Sequence, residues 1–417
     1  MGQKGLEIKN LVSIILFMKF KSELLNELDE RGVIKDIINP DLLDQKLMAG
    51  EKICVYGGFD CTADSLHAGH ILPIKTLSMF HKFGHRVIVL FGGATTRIGD
   101  PSGRDESRKM QTEADINSNK IGIMKSISKF INQDENLIFV DNLDWIGRFS
   151  YIEFLRDVGV HFSVNKMLTM DSVKTRLENN GHMSFLEFSY MLLQGYDFYH
   201  LNREYGCNMQ IGGSEQWGNI VQGIDLIGRK CEKKPDLFGL TLNLITRSDG
   251  KKMGKSESGA VWINEDKMSE FDFYQYFRNT ADADVEKFLL LFTDFPIDAV
   301  KKISEMEINE QKKILSHEIT KITHGIDSAD SARNRAVMEF ENRVATQDLS
   351  FEISGNYDIV SILLYLELFQ SRGECKKMIQ NGGVSIDGEK IAESWQIKKG
   401  KFLLKIGKKR IYNLLLV

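Results

Sequence analysis

Few prolines, few cysteines and no long apolar run set the first limits on this chain. Only 5 of its 417 residues are prolines, and no tract rich in proline or serine occurs, so we expect no long disordered linkers. The 5 cysteines form no CxxC pair, which argues against a disulfide framework and for a reducing compartment. The apolar run at residues 11–17 is too short to span a membrane, and no small-residue cleavage site follows it. These features predict a cytoplasmic protein without a membrane anchor.

The composition, with 42% hydrophobic and 27% charged residues over 417 positions, predicts a globular protein of two or three domains. Its charge is unevenly spread, because the residues from Val360 onward carry 11 lysines and arginines against 5 acidic residues. That balance of +6 leaves −10 for the rest of the chain, whose total is −4. A basic but apolar-rich end on an acidic body predicts an appended module that binds a polyanion.

The chain is organised around residues 51–75, EKICVYGGFDCTADSLHAGHILPIK. The apolar run at 53–56 is typical of a buried strand, and a segment of helical period extends from His70 to about Phe80. A glycine-containing loop and a polar turn lie between them. An α/β fold holds a nucleotide at such a junction, because unpaired N–H groups at the helix start can face its phosphates.

Two histidines of this stretch are candidate site residues. His67 and His70 project from one side of the first helical turn, and Gly69 between them would let a flat ring approach the backbone. Taken alone, the pair is equally well explained as two satisfied polar residues at a helix start. A zinc site is less well supported, because no third ligand is evident nearby, and we expect no protein-bound metal.

A second stretch, RSDGKKMGKSESG at residues 247–259, predicts a movable loop that carries positive charge onto a phosphate. By itself it is typical of a solvated surface loop. Following YGGFDCTADSLHAGH, however, it resembles the KMSKS motif of class I aminoacyl-tRNA synthetases, with HAGH in place of their HIGH motif. The form GFDCTADSLHAGH is similar to bacterial-type tyrosyl-tRNA synthetases in particular, and the resemblance extends from about Lys52 to the C-terminus.

A third informative stretch, residues 184–198, predicts a helix that is buried nearly all round. Tyr190, Gln194 and Asp197 share one of its faces. The flanking residues that suggest burial are Phe185, Leu186, Phe188, Met191, Leu192, Leu193 and Phe198. Aligned polar groups inside a buried helix need partners, and a bound ligand is one way to supply them.

Two more strand-to-loop junctions repeat the pattern of a parallel sheet. The apolar run at 86–91 leads into a glycine-rich loop at 92–103, after which Arg104 and Arg108 either help to hold a triphosphate or form an exposed charged turn. The strand at 208–211 leads into GGSEQWGN, where Glu215 either accepts hydrogen bonds from a ribose or satisfies backbone donors at the helix start.

The predicted fold class is α/β, with a Rossmann-like parallel-sheet catalytic domain, an all-α domain and a small α+β RNA-binding module. The last module is predicted from residues 363–391, which resemble the αL module of some ribosomal proteins and contain an Asp-Gly hairpin turn. The predicted segments are an N-terminal extension (1–17), the catalytic domain (18–245) with a connecting insertion (112–180), a mobile loop (246–267), a helical anticodon-region domain (268–344), a linker (345–356) and the RNA-binding module (357–417).

The resemblance implies ATP-dependent activation of L-tyrosine to tyrosyl-adenylate and transfer of the tyrosyl group to the 3′ end of tRNA(Tyr). It further implies that Mg²⁺ accompanies ATP and that the connecting insertion joins two chains in a homodimer. The catalytic residues that it implies are His67, His70, Lys252, Lys255 and Ser256. Those implied for ATP are Gly58, Gly69, Gly213, Glu215, Arg104 and Arg108.

For tyrosine, the resemblance implies that Tyr56 and Asp197 bind the phenolic hydroxyl. The residues implied around the ammonium group are Asp60, Asp100, Tyr190 and Gln194, and those implied near the carboxylate are Gln210 and Gln216. Four positions depart from the family's usual pattern, namely Ala68, Pro73, Glu215 in place of aspartate, and Gly254 as the third residue of the KMSKS motif.

Three alternatives remain open at this point. A tryptophanyl-tRNA synthetase shares the fold but would not require the Tyr56 and Asp197 pair. A small nucleotidyltransferase with an HxGH motif gives no reason for the helical and RNA-binding ends. An RNA-binding or splicing protein derived from a synthetase would be expected to lose its histidines or lysines, and both motifs are intact. The sequence also leaves a bacterial or an organellar origin open.

Overall fold

The computed structural model describes residues 20–417 apart from 101–110, 179–182, 249, 251–252, 257–258, 342–346, 353–356, 396 and 408–409. Arg104, Arg108, Lys252 and the predicted N-terminal extension therefore lie outside the described residues, and the side chains of Lys255 and Ser256 are not described either. The described residues form two compact units, which divide between His324 and Gly325. No described helix is long and apolar enough to cross a membrane.

A six-stranded sheet forms the centre of the first unit, in the order β1-β6-β5-β2-β3-β4. Its strands are β1 Ile34–Ile38, β2 Cys54–Phe59, β3 Arg86–Phe91, β4 Leu137–Asp141, β5 Met209–Gly213 and β6 Phe238–Leu242. Strands β2 to β6 run parallel, and β1 is antiparallel to β6. The Rossmann-like parallel sheet is thus confirmed, with an added antiparallel edge strand that was not predicted.

Successive residues of the central strands enter two different cores, one on each face of the sheet. Val55 and Val87 belong to a cluster with Phe80, whereas Tyr56 and Ile88 pack in another cluster with other helices. Because both faces are covered, the strands are continuously apolar, as a parallel sheet requires.

Helices make up most of the rest of the first unit. They are α1 Glu23–Glu30, α2 Pro40–Met48, α3 Ile71–Lys82, α4 Glu113–Ser128, α5 Leu143–Ile146, α6 Tyr151–Asp157, α7 Val164–Leu168, α8 Asp171–Glu178, α9 Phe185–Phe188, α10 Tyr190–Tyr205, α11 Trp217–Lys230, α12 Glu270–Arg278, α13 Val285–Phe292, α14 Ile297–Ser304 and α15 Ile308–His324. A two-stranded hairpin of β7 Lys255–Ser256 and β8 Gly259–Ala260 follows β6. Pro73 lies in the first turn of α3, where its missing N–H breaks no helical bond, and α3 continues past it.

The order of the strands creates a crevice at one edge of the sheet. From β2 the chain builds outward through β3 and β4, and then returns to add β5 and β6 on the other side of β2. The carboxyl ends of β2 and β5 therefore flank the point where the winding direction reverses, which is where open α/β sheets bind their ligands.

The loop that leads to the histidine motif is clamped by helix α4. The amide of Asn264 donates to the carbonyl oxygens of Gly122 (2.9 Å) and Asp64 (3.3 Å). The Ser126 hydroxyl accepts from the backbone N–H of Leu66 at 3.1 Å. A Cβ atom on Gly122 would overlap the Asp64 carbonyl, so only glycine permits this close approach of helix and loop.

The second unit contains helices α16 Ile326–Ala336, α17 Ile359–Tyr365 and α18 Arg372–Gln380, and a π-helical turn, Val337–Glu341. Its five-stranded sheet has the order β11-β10-β12-β13-β9. The strands are β9 Gln347–Phe351, β10 Val384–Ile386, β11 Glu389–Lys390, β12 Gly400–Ile406 and β13 Arg410–Leu416. The predicted Asp-Gly hairpin turn is confirmed, with φ of 54° at Asp387 and 89° at Gly388.

Two predicted segments are arranged differently from expectation. The predicted linker contributes β9, which pairs in parallel with β13. Helices α12 to α15 of the predicted all-α domain belong to the same compact unit as the catalytic sheet, whereas α16 belongs to the second unit. Local sequence patterns do not reveal either arrangement, because each depends on contacts with residues that are distant in the sequence.

The contact between Gly122 and Asp64 predicts that alanine destabilises the protein at Gly122 but not at a helix glycine with free space around it. Gly122→Ala should lower the free energy of unfolding by about 1–3 kcal/mol, since the new methyl group is forced into a packed backbone. Gly228→Ala is the matched control, because the nearest neighbouring atom would lie 3.9 Å from its new Cβ, and it should gain up to about 1 kcal/mol. Urea denaturation measures both, and equal effects of the two changes would contradict the clamp.

Candidate active site

A cavity of about 600 Å³ lies at the carboxyl ends of β2 and β5. It brings together every site residue expected from the sequence whose side chain or glycine backbone the structure describes. These are Tyr56, Gly58, Asp60, His67, Gly69, His70, Asp100, Tyr190, Gln194, Asp197, Gln210, Gly213, Glu215 and Gln216. Segments more than 150 residues apart in sequence therefore contribute to one concave site.

The two histidines form a reciprocal cap at the start of the helical segment. The Gly69 N–H donates to Nδ1 of His67 at 3.1 Å, and the His67 N–H donates to Nδ1 of His70 at 3.3 Å. The ring centroids are 4.0 Å apart. Because each Nδ1 accepts, the neutral form of each ring carries its proton on Nε2, which makes Nε2 a hydrogen-bond donor. Two donors beside a helix start suit an anionic ligand.

The lysine-glycine stretch packs directly against this histidine motif. A Cβ on Gly69 would lie 2.9 Å from the Met253 carbonyl oxygen, and a Cβ on Gly254 would lie 2.6 Å from Nδ1 of His67. Gly254 also has φ of +104°, a conformation that favours glycine. The Ala68 N–H donates to the Val261 carbonyl at 2.8 Å. The space expected for a flat ring beside Gly69 is therefore filled by protein atoms, and Gly254 permits that contact.

The carboxylate of Asp197 is the most deeply buried charge of the cavity wall, with 2% exposure. Its Oδ1 accepts from Nε1 of Trp145 at 2.8 Å, and its Oδ2 accepts from the Asn142 amide at 3.0 Å. Burial raises the pKa of Asp197 to about 7, although both donors favour the ionised form. Sequence reasoning missed both donors. Asn142 directly follows β4 and shares the ligand-binding edge of the sheet, a signal that could have identified it; Trp145 gave none.

Two other polar atoms of the wall have no hydrogen-bond partner within the described part of the chain. They are the hydroxyl of Tyr56, which is fully buried, and Oε1 of Gln210, whose residue is 3% exposed. Burial, with the nearby Asp197 charge, raises the pKa of Tyr56 well above 10. An unpaired buried polar atom costs about 1–3 kcal/mol, so both atoms are open to a ligand that pairs with them.

A chain of amides lines the next part of the cavity. Gln194 Nε2 donates to Gln216 Oε1 at 3.0 Å, and Gln216 Nε2 donates to Asp100 Oδ2 at 2.9 Å. Asn219, which sequence reasoning missed, donates to Gln194 Oε1 at 2.8 Å. These bonds fix the orientation of the Gln194 and Gln216 amides, because in each the oxygen accepts and the nitrogen donates.

Asp60 is held from two directions beside that chain. The hydroxyls of Thr95 and Tyr190 donate to its Oδ1 at 2.9 Å and 3.4 Å. Thr95 was not predicted, although it lies in the glycine-rich loop after β3. The carboxylates of Asp60 and Asp100 give this region of the cavity negative charge, which suits a cationic group of a ligand.

The glycines differ in what surrounds them. A Cβ on Gly58 would meet no described atom within 4 Å, whereas one on Gly213 would overlap the Glu215 carboxylate. Glu215 thus curls back over the end of β5, in the short 3₁₀ turn Ser214–Gln216. Among the described residues, no group of three or more His, Cys, Asp or Glu could hold a metal ion.

One expectation about the helix of Asp197 is wrong. Phe185 is 66% exposed and Leu186 is 50% exposed, because they lie on α9, a separate short helix ahead of α10. The remaining flanking residues follow the prediction more closely, since Met191, Leu192, Leu193 and Phe198 are buried. The polar face of α10 therefore lines the cavity, whereas the short helix α9 that precedes it exposes Phe185 and Leu186.

The buried carboxylate predicts a specific pH dependence of stability. The pKa of Asp197 is raised in the folded protein from 3.8 to about 7, so protonation favours folding. Its contribution is fully present below pH 4 and is lost as the pH rises towards 7, by at most about 1.4 kcal/mol per pH unit.

Asp197→Asn removes this titration at nearly constant volume. The free energy of unfolding of the wild type minus that of Asp197→Asn should therefore fall between pH 4 and 7 and level off above pH 7. Denaturation at matched pH values measures the difference. A difference that is constant or rises with pH would show that Asp197 is not held in this buried state.

Comparison with known proteins agrees with this geometry. The family of class I tRNA synthetases (W and Y) matches residues 48–341, and the S4 domain matches residues 359–403. The tyrosine–tRNA ligase of Wolbachia pipientis subsp. Culex pipiens is 46% identical over 95% of this chain and 99% of its own length. The tyrosine–tRNA ligase of Clostridium kluyveri is 46% identical over 93% of this chain and 98% of its own length.

Solved structures show the same likeness. The C-terminally truncated mitochondrial tyrosyl-tRNA synthetase of Aspergillus nidulans superposes with a TM-score of 0.67 and 31% identity, covering 78% of this chain and 95% of that one. The tyrosyl-tRNA synthetase of Archaeoglobus fulgidus, at 15% identity and a TM-score of 0.55, shares the fold. The chain therefore belongs to the class I aminoacyl-tRNA synthetases, within their tyrosine–tRNA ligase branch.

Proposed function

We propose that the cavity is the site where this ligase activates L-tyrosine with ATP and then passes the tyrosyl group to the 3′ end of tRNA(Tyr). The observation that carries the proposal is that two buried groups line the same cavity: the Tyr56 hydroxyl, which has no hydrogen-bond partner among the described residues, and the Asp197 carboxylate. A phenolic hydroxyl can donate to the carboxylate and accept from Tyr56, which satisfies both groups. Phenylalanine would leave the Tyr56 hydroxyl without a partner and the buried Asp197 carboxylate with only its two protein donors, at a cost of about 1–3 kcal/mol for the unpaired hydroxyl.

The ammonium group of the substrate is assigned to the acidic region beside the amide chain. Asp60, Asp100, Tyr190 and Gln194 supply acceptors there. Gln210 was expected near the substrate carboxylate, but its unpaired atom is Oε1, an acceptor. In this orientation Gln210 suits the ammonium group, and contact with the carboxylate requires its amide to turn over.

The nucleotide end of the proposed site is built around the histidine motif. His67 and His70 would donate from Nε2 to phosphate oxygens, while Gly58, Gly213 and Glu215 would lie against adenosine. Gly69 was expected there as well, but it packs against the Met253 carbonyl oxygen instead. No protein nucleophile is needed, because the tyrosine carboxylate attacks the α-phosphate and pyrophosphate leaves. Catalysis then comes from orienting the two substrates and from stabilising the negative charge on the phosphates as pyrophosphate leaves.

The remaining charges are assigned by the family resemblance. Lys252, Lys255 and Ser256 would act on the leaving pyrophosphate, and Arg104 and Arg108 would assist at the triphosphate. Support for the first group comes from Met253 and Gly254, whose backbone lies against His67 and Gly69. Mg²⁺ would enter with ATP as part of the substrate, since it is commonly held by phosphates and few protein ligands.

The unit from Gly325 to Val417 is proposed to bind the tRNA. It contains the S4 match, and its exposed lysines include Lys398, Lys399 and Lys401. Positive charge on a small folded module attracts the phosphate backbone in a salt-dependent way. The predicted cytoplasmic location is kept as part of this proposal.

A homodimer through the connecting insertion is also proposed. Large exposed apolar side chains concentrate in residues 151–186, and they are Tyr151, Ile152, Val160, Val164, Leu168, Leu177, Phe185 and Leu186. Several large exposed apolar side chains in one segment favour an interaction site, and a second copy that covers Phe185 and Leu186 would explain why they are exposed in the single chain.

Substrate choice gives the direct test of the proposed activity. Amino-acid-dependent ATP–pyrophosphate exchange should proceed with tyrosine and be weak or undetectable with tryptophan and phenylalanine. Asp197→Ala should raise the KM for tyrosine by about 10- to 100-fold, because it removes a buried acceptor. Asp298→Ala, which changes an exposed carboxylate, serves as the control. Unchanged tyrosine kinetics in Asp197→Ala would overturn the phenol assignment.

A charge placed in the exposed apolar stretch should break the dimer. Val160 is 71% exposed in the single chain, so Val160→Asp should cost little folding free energy and yield a monomer by light scattering. Met306→Asp, at a 48% exposed site elsewhere, should leave a dimer. A monomeric wild type, or a dimeric Val160→Asp variant, would refute the interface.

A further inference from the structure

The indole of Trp145 is held on two sides by one helix. Its Nε1 donates to Asp197 at 2.8 Å, and its ring stacks on His200 with centroids 4.2 Å apart and planes 18° from parallel. Asp197 and His200 are three residues apart on helix α10, Tyr190–Tyr205, so they lie on the same side of it. Asp197 and His200 thus contact the same indole from one side of helix α10.

The indole itself comes from a small element. Trp145 lies on α5, Leu143–Ile146, a helix of four residues that directly follows β4. So short a helix has little stability of its own, and side-chain contacts must fix the position of the ring. The hydrogen bond to Asp197 constrains one edge, and the His200 ring covers a face.

His200 is suited to stacking as a neutral ring. Partial burial, with Arg148 and Arg203 nearby, lowers its pKa below 6.5, and Glu204 opposes that shift. The lowered pKa favours the neutral imidazole, and stacking of two flat rings is favourable. Tyr196, at 6.2 Å between centroids, borders the same ring.

We propose that His200 is a positioning residue for tyrosine recognition, which acts by holding Trp145 against the Asp197 carboxylate. The inference rests on the proposed function, because it matters only if Asp197 binds the substrate's phenolic hydroxyl. His200 does not line the cavity, so its effect passes through the indole. Without the stack, the indole is freer to leave Oδ1, and the carboxylate loses one of its two donors.

The expected consequence is a selective change in tyrosine affinity. His200→Ala should raise the KM for tyrosine by about three- to tenfold, the range that an aromatic pair supports. The discrimination of tyrosine from phenylalanine should fall by a similar factor, while kcat and the KM for ATP stay within about twofold. A residue with a merely structural role would lower the melting temperature without this split.

Two further variants separate stacking from space filling. His200→Phe keeps a flat ring and should restore the wild-type KM for tyrosine, whereas His200→Leu fills a similar volume without a flat ring and should behave like His200→Ala. His81→Ala is the matched control, because His81 is a largely buried histidine that pairs with Asp134 at 2.8 Å and does not line the cavity. All are measured by pyrophosphate exchange with tyrosine and with phenylalanine, alongside the melting temperature.

The outcomes distinguish this inference from the proposed function. If Asp197→Ala raises the KM for tyrosine but His200→Ala does not, the positioning role is overturned and the proposed site stands. If His200→Leu matches His200→Phe, stacking is not the cause and the inference also fails. If Asp197→Ala leaves the KM for tyrosine and the discrimination unchanged, the proposed site itself is refuted.

Discussion

The structure depends above all on holding the Asp197 carboxylate in one orientation away from water. Moving an unpaired carboxylate out of water is costly, and Asp197 is 2% exposed. Donors from Trp145 and Asn142 offset part of that cost, and the raised pKa of about 7 shows that the compensation is incomplete. A third hydrogen-bond donor on a ligand would complete the compensation. The burial of Asp197 therefore costs folding free energy but favours a substrate that carries a hydroxyl group.

The opposite end of the cavity depends on close backbone contact instead of buried charge. The histidine motif and the segment that begins at Met253 meet so tightly that side chains at Gly69 or Gly254 would collide with their neighbours. The sheet order provides the meeting point, since β2 and β5 are adjacent although about 150 residues separate them. The proposed phosphate and amino-acid sites therefore share one crevice at the reversal point of the sheet.

Local patterns were sufficient for the elements and for much of the site. Apolar runs predicted β2 and β3 because buried parallel strands are continuously apolar, and the short strand β5 was predicted from its junction with a glycine-rich turn. Helical spacing placed Tyr190, Gln194 and Asp197 on one face. The strand β1 escaped prediction because its sequence, IKDII, has a half-exposed pattern typical of an edge. Strand β9 escaped because its partner, β13, lies about 60 residues further along the chain.

Asn142 could have been identified from its place after β4, whereas Trp145 and the exposure of Phe185 and Leu186 are defined only by tertiary contact. Trp145 looks like an ordinary core residue in sequence, and its role depends on the approach of α10 to a four-residue helix. Phe185 and Leu186 look buried by composition, yet the fold of one chain leaves them exposed. Hydrophobicity indicates that a surface will be covered, but it does not indicate whether the same chain or a second copy covers it.

The central claim, that a substrate hydroxyl pairs with the Asp197 carboxylate, can be measured through the proton that this pairing displaces. Calorimetric titration with L-tyrosine near pH 6.5, in buffers of different ionisation enthalpy, reports the protons released on binding. Asp197 is partly protonated there when no ligand is bound, and donation by the phenol lowers its pKa, so the account predicts net proton release with tyrosine that Asp197→Asn abolishes. Tyrosine binding with no proton release, or with the same release in Asp197→Asn, would contradict it.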